Sequence, residues 1–302
     1  MAGVAEELRR QPLFRSSTVA IDDVRCRARA GGCGAEERST AHSIAFVRSG
    51  VFVKQVGSRQ VVADANQAVF FNRHEAYRVS HPVTGGDDCT TFWFAPDVLL
   101  SGLGVYEPAV RERPDKPFLR SGVLLDARTA LLQRTLRRCL RAGWGDGFAV
   151  DARSLDLLAA VLRATFRSQG RHSVRVKPET ARVHRRWADA TQVLLASRCG
   201  ERLSLDEVAR SVHCSPFHLV RIFRRETGIP IHRYLNRLRL RASLERLVDG
   251  GSDLTNLAMD LGYASHSHFT DAFRREFGVP PSDFRRGLTG GRLREMSKNL
   301  EA

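Results

Sequence analysis

"SPFHLVRIFRRETGIP" runs from Ser215 to Pro230, and "SHSHFTDAFRREFGVP" runs from Ser265 to Pro280. Both stretches open on Ser, carry Phe-Arg-Arg-Glu in their second half and close on Gly and Pro, while most positions between differ. A frame kept twice with changed contents implies one small fold built twice, each copy presenting a different surface. Around the first copy, "LSLDEVARSVHCSPFHLVRIFRRETG" predicts a short helix capped by Ser204, a tight turn at His213–Ser215 and a second helix capped by Ser215. Leu205, Val208, Ala209 and Val212 form the expected apolar stripe of the first helix, and Leu219, Ile222 and Phe223 that of the second. Phe217, Val220, Arg221 and Arg224 fall on the opposite face, spaced by three or four residues, and are expected to point outward.

The second copy rebuilds the same core with Leu254, Leu257, Ala258, Leu261, Phe269, Ala272 and Phe273. Gly262 fits its turn, because a helix end there calls for a residue that accepts positive φ. Its outward face is His266, Ser267, Thr270 and Asp271. Between the copies, "IPIHRYLNRLRLRASLERLVDG" places Tyr234, Leu235, Leu238, Leu240, Leu244 and Leu247 on an extended amphipathic pattern, a helix suited to fixing the spacing of two modules.

Paired short helices of this form match the helix-turn-helix plan, whose second helix enters the major groove of double-stranded DNA. Such a helix needs exposed polar side chains near its N-terminal half and cations beside the phosphates. Arg221 suits a bidentate contact with guanine, while Arg224, Arg225, Arg274 and Arg275 lie where the backbone would pass. Taken singly, arginines at helix ends usually only solvate the surface. Their appearance twice at one offset from a capped turn favours the nucleic-acid reading. Composition agrees, since the formal charge is +15 and the segment from Arg171 onward holds 24 Lys or Arg against 15 Asp or Glu.

The residues from Leu257 through "LGYASHSHFTDAFRREFGVPPSDFRR" resemble the signature of the AraC/XylS family of bacterial transcriptional regulators, including Gly262, Phe269, Phe273, Gly278, Pro280 and Phe284-Arg285. The resemblance covers roughly Arg185 to Leu288. It implies base contacts from Phe217, Val220 and Arg221 in the first unit and from His266, Ser267 and Asp271 in the second, with activation through RNA polymerase. Asp271 departs from the pattern, standing where relatives often place a basic or neutral group. A carboxylate accepts from cytosine N4 but repels phosphate, so the second unit is expected to read weakly or selectively.

From Thr18 to about Leu125 the chain is a series of short β-rich runs ("TVAIDDVRCRA", "SIAFV", "VFVKQV", "RQVVAD", "AVFFN", "TTFWF", "GVLL") that suggest a β-sandwich or barrel. Gly57 and Ser58 form a two-residue connection of II′ type. Two amphipathic helices follow, with Leu131, Leu132, Leu136 and Leu140 on one and Leu155, Leu158, Leu162 and Phe166 on the other. They are expected to pack on the β layer, with homodimer formation as the other use of their apolar faces. This half is similar to the cupin-like sensor domains joined to many AraC/XylS members, which implies a small-molecule effector in a small barrel. Candidates to line it are His42, His74, Tyr77, Arg78, His81, Cys89 and Trp93. A metal reading draws on Cys26, His42, His81 and Cys89. Their spacing is irregular and the two-histidine-plus-Glu cupin motif is missing, so no metal or other cofactor is expected. The same lack counts against a cupin-type enzyme.

The sequence therefore predicts an α+β two-domain protein: a cupin-like β-barrel with following helices over 1–170, a linker over 171–184, an all-α double helix-turn-helix domain over 185–288 and a tail over 289–302. No targeting signal opens the chain and no apolar run approaches membrane-spanning length, which places the protein in the cytoplasm and leaves no membrane partner. The expected function is sequence-specific transcriptional regulation, with no enzymatic activity.

Overall fold

The computed structural model describes residues 7–31, 34–143, 146–167, 178–249 and 253–287. The chain separates into two compact units, Met1–Gln169 and Gly170–Ala302.

The amino-terminal unit contains β1 (Glu7–Arg15), β2 (Val19–Arg27), β3 (Glu37–Arg38), β4 (Ser43–Gly50), β5 (Phe52–Val56), β6 (Arg59–Ala63), β7 (Gln67–Phe71), β8 (Ala76–Ser80), β9 (Asp87–Phe94) and β10 (Gly122–Leu124). The helices α1 (Pro96–Gly104), α2 (Ala127–Arg141) and α3 (Gly147–Arg167) complete it. Strands order as β1-β2-β9-β4-β7-β10 in a six-stranded sheet and as β3-β8-β5-β6 in a four-stranded one. The expected closed barrel is therefore corrected to two antiparallel sheets. Closure requires every edge to pair, and among the described residues no ladder joins the sheets, whose edges β3 and β10 are only two and three residues long.

Alternation decides which side chains go where. Ile21, Phe46, Phe70, Phe92 and Phe94 face α1–α3 and form the larger core with Leu99, Leu136, Leu157, Leu158, Val161 and Leu162. The helices thus pack on the sheet, as expected. In α3 the buried face is centred on Leu157, Leu158, Val161 and Leu162, while Leu155 is 40% exposed, so the stripe is rotated from the one read in sequence. The other face of the six-stranded sheet meets the four-stranded sheet through Val47, Phe52, Ala63, Val69 and Cys89. The β5–β6 turn has two residues, with Gly57 at φ +55.

Buried arginines of α2 reach the sheet, Arg134 donating to the Arg48 carbonyl of β4 at 3.1 Å. Arg137 of α2 donates to both carboxylate oxygens of Asp23 on β2 at 2.8–3.0 Å, and both side chains are buried. Thr90 of β9, opposite Asp23 in the ladder, adds a hydroxyl donor at 3.1 Å.

The carboxyl-terminal unit is all helical: α4 (Pro178–Ser197), α5 (Leu205–Ser211), α6 (Pro216–Thr227), α7 (Ile231–Asp249), α8 (Leu254–Asp260), α9 (His266–Phe277) and α10 (Pro281–Gly287). Pro178 opens α4, so the second half of the segment read as a linker, residues 178–184, is helical. Residues 171–177 and the tail from 288 lie outside the described residues.

Candidate nucleic-acid interface

The two units of the repeat share one set of local devices. Ser204 caps α5 with a full capping box to Glu207, and Asp253 caps α8 by accepting from Thr255 and Asn256. Each first helix ends in a residue on the left-handed side, His213 (φ +52) and Gly262 (φ +75). The next residue closes the turn with equivalent bonds: Cys214 N–H donates to Ala209 C=O and Tyr263 N–H to Ala258 C=O, both at 3.0 Å. Ser215 and Ser265 cap α6 and α9, and left-handed Gly228 and Gly278 end them. Glycine is required at 262 for a second reason, since a Cβ there would lie 2.7 Å from Gly200 O.

Inside each unit the expected cores hold. Val208, Ala209, Val212, Leu219, Ile222 and Phe223 are buried in the first, and Leu257, Ala258, Leu261, Phe269, Ala272 and Phe273 in the second. Two positions differ. Leu205 is 41% exposed because it begins α5, before the helix turns its apolar face inward, and Leu254 at the start of α8 is only half-buried. Helix α7 ties the two units together: Tyr234 accepts from Gln192 of α4 at 2.9 Å, Tyr263 donates to Asn236 at 2.8 Å, and Arg237 pairs with Glu276 of α9 at 3.1 Å. Arg239 donates to the carbonyls of Cys199 and Glu201 at 2.7 and 2.6 Å, locking the chain before α5 to the same helix.

The outward faces carry the candidate reading residues. On α6, Phe217, Val220, Arg221 and Arg224 are exposed, Phe217 at 70%. On α9, Ser267, Asp271, Arg274 and Arg275 are exposed, while His266 and Thr270 are half-buried and lie 3.5 Å apart on one side of the helix. Arg225 stands apart from its counterpart Arg275. Its guanidinium bonds Glu226 at 2.9 and 3.1 Å and also His184 of α4, which draws it away from the free surface. His218 and His268, exposed in the first turn of α6 and α9, were not singled out by sequence reasoning. Their signal was present, since both occupy the fourth position of the repeat.

In the amino-terminal unit, a cavity of about 280 Å³ opens between the sheets. Tyr77, His81, Cys89 and Trp93 line it, together with Arg10, Phe52, Asp87 and Thr91, which the sequence reading had not singled out as site residues. The remaining effector candidates are not among its lining residues. Buried His42 accepts from Arg73 N–H at 3.0 Å, with desolvation lowering its pKa, while His74 sits exposed at a turn with φ +61 and Arg78 is exposed on β8. Of the four residues considered for a metal, the fold brings Cys26, His81 and Cys89 to this cavity and leaves His42 out. Burial and neighbouring Asp87 push the Cys89 thiol up, so it stays protonated.

A model of the helix-turn-helix domain family matches residues 208–287. The chain is 34% identical over 96 residues to the HTH-type transcriptional activator RhaS of Escherichia coli SE11, spanning 32% of this chain and 34% of that protein. It is 28% identical over 125 residues to the bifunctional transcriptional activator/DNA repair enzyme AdaA of Bacillus subtilis 168, spanning 41% of this chain and 57% of that protein. The chain thus spans between a third and somewhat over half of these relatives. Among solved structures, ToxT of Vibrio cholerae aligns over 91% of this chain and 100% of its own at 12% identity, with a TM-score of 0.34.

Proposed function

We propose that this chain, which carries an AraC-type helix-turn-helix domain at its carboxyl end, is a sequence-specific DNA-binding transcriptional regulator. The observation that carries the reading is the repeat itself: two frames capped at equivalent positions bury apolar side chains at equivalent core positions and display unlike faces outside. At matching positions the first unit offers Phe217 and Arg221 and the second Ser267 and Asp271, so one exposed site reverses its charge between copies. Phe217, Val220 and Arg221 then read one DNA element and His266, Ser267, Thr270 and Asp271 another. Arg224, Arg274 and Arg275 neutralise phosphates, and Arg225 contributes by holding α6 to α4 rather than by reaching the backbone.

Promoter DNA is the main partner, with RNA polymerase as the second for an activator. No described helix is long and apolar enough to cross a membrane, which accords with a protein that works at cytoplasmic DNA. The cavity between the sheets, whose lining mixes charged and polar groups such as Arg10, Glu37, Tyr77, His81 and Asp87 with apolar Phe52, Phe71 and Val79, suits a polar small-molecule effector. Phe148 and Leu155, exposed two turns apart on α3, support pairing with a second chain. The reading is non-enzymatic.

Competition binding tests it. The full chain on its own promoter fragment should resist unrelated DNA with a preference of at least about 10³, and its affinity should fall steeply with salt as counterions are released. Equal competition by any duplex would show an architectural protein that coats DNA regardless of sequence.

A further inference from the structure

We propose that Cys26, His81 and Asp87 bind a divalent metal ion of borderline softness, zinc(II) in the first instance, in the wall of the intersheet cavity. Cys26 is remote in sequence from His81 and Asp87, yet one ligand atom from each of the three lies within 4.8 Å of the others. Among the described residues no other set of three His, Cys, Asp or Glu side chains converges in this way. Thiolate, imidazole and carboxylate together are a zinc donor set. Metal–ligand distances of roughly 2.0–2.3 Å put neighbouring donor atoms about 3.3–3.8 Å apart. Only small shifts are needed: the pair of His81 Nε2 and Asp87 Oδ1, now 2.9 Å apart, would open by less than about 1 Å to admit the ion.

The backbone fixes this arrangement. Cys26 on β2 stands directly opposite Asp87 on β9, so both side chains leave the same face of the sheet. His81 follows β8 of the other sheet, and its carbonyl accepts from Gly31 N–H at 3.1 Å. Gly86, at φ +75, lets β9 enter flush against β2, since a Cβ there would lie 2.0 Å from Cys26 O. The second carboxylate oxygen of Asp87 accepts from the Cys89 thiol at 2.9 Å, the kind of outer contact that orients a metal ligand.

Charge also balances. All three ligands are buried, and a dication held by one thiolate, one carboxylate and one neutral imidazole forms a neutral site. Binding transfers the Cys26 thiol proton to solvent, with no oxidation or reduction. Three protein ligands leave a fourth position for water or for a Lewis-basic group of a molecule in the cavity. The metal site stands whether or not the cavity takes an organic effector, and whether or not the helical unit reads DNA. The competing account is a hydrogen-bonded His81–Asp87 pair that closes the cavity wall without an ion.

The test uses the full chain, reduced and stripped with chelator, titrated with cobalt(II) and then zinc(II). The site predicts one cobalt per chain, a thiolate-to-cobalt charge-transfer band, visible bands of four-coordinate intensity, and displacement of cobalt by zinc. Cys26→Ser should abolish the charge-transfer band, and Cys139→Ser should leave it unchanged. Cys89→Ser should retain the band with affinity lowered by about 10-fold. Absence of the band in the wild type, or a band that survives Cys26→Ser, overturns the proposal. Should Cys26→Ser fail to fold, X-ray absorption on the zinc-loaded wild type decides: one sulfur with nitrogen and oxygen neighbours supports the site, and a shell without sulfur overturns it.

Discussion

The guanidinium of Arg221 lies over the ring of Phe217, 5.6 Å from its centroid, one helical turn away on the exposed face of α6. A cation held over an aromatic face loses less side-chain freedom when it engages a planar base edge. Arg221→Ala should therefore weaken binding to the protein's own site by about 1–3 kcal/mol and relax the preference at one base pair. Arg275→Ala should weaken all sequences alike. Quantitative binding to single-base variants of the site checks both, and equal losses on every sequence for Arg221→Ala would remove it from the reading role.

The two turns make a matched pair of tests. Gly262→Ala forces a Cβ toward Gly200 O while the backbone stays at φ +75, so the second unit should lose stability in denaturant unfolding. His213→Gly in the equivalent turn removes a left-handed strain of about 1–2 kcal/mol, partly offset by unfolded-chain entropy. It should leave the first unit unchanged or slightly more stable. A clear loss in His213→Gly would mean that the imidazole holds the turn by some contact of its own.

Phe273 is fully buried, with ring centroids 4.7 Å from Phe277 and 5.7 Å from Phe284. Phe273→Ala should cost about 3–5 kcal/mol in urea unfolding and should abolish binding to the element read by α9. An unchanged melting curve would contradict its place in the core.

Asp23 gives the amino-terminal unit an acid limit. Burial raises the carboxyl pKa, but hydrogen bonds from Arg137, the charges of Arg48 and Arg137, and the Thr90 hydroxyl together lower it below the ordinary value. A depressed folded pKa contributes stability that is present above the unfolded carboxylate value, about 3.9, and is lost as pH falls through the lower folded value. Arg137→Leu removes the partner and should destabilise this unit by about 3–5 kcal/mol at neutral pH, with a shallower acid transition. Unfolding of the unit followed from neutral pH to below pH 4 checks both outcomes.

The carboxyl-terminal unit was largely legible in the sequence because its signals are local. Ser204, Ser215 and Gly262 act within one turn of their own position, and the apolar stripes repeat at helical period. The amino-terminal unit was less so. β1 was missed because "ELRRQPLFR" pairs with β2 alone and keeps Arg9, Arg10 and Arg15 exposed, so it lacks a strand's usual apolar face. β8 was missed because its residues are at most half-buried, and α1 because its nine residues follow directly on β9. The cavity lining depends on register between distant strands. That register brings Tyr77, His81 and Asp87 together, buries His42 elsewhere and leaves His74 and Arg78 exposed outside the cavity, a distinction that residue type alone does not reveal.

Selection of bound fragments from random duplex DNA by the full chain, repeated with Arg221→Ala and with Ser267→Ala, tests most directly whether the two exposed faces read different elements. The account predicts an enriched site of two dissimilar elements about one helical turn apart, roughly 10 base pairs centre to centre, with each variant erasing preference in one element only. Recovery of no enriched sequence, or of a single element that both variants relax together, would contradict it.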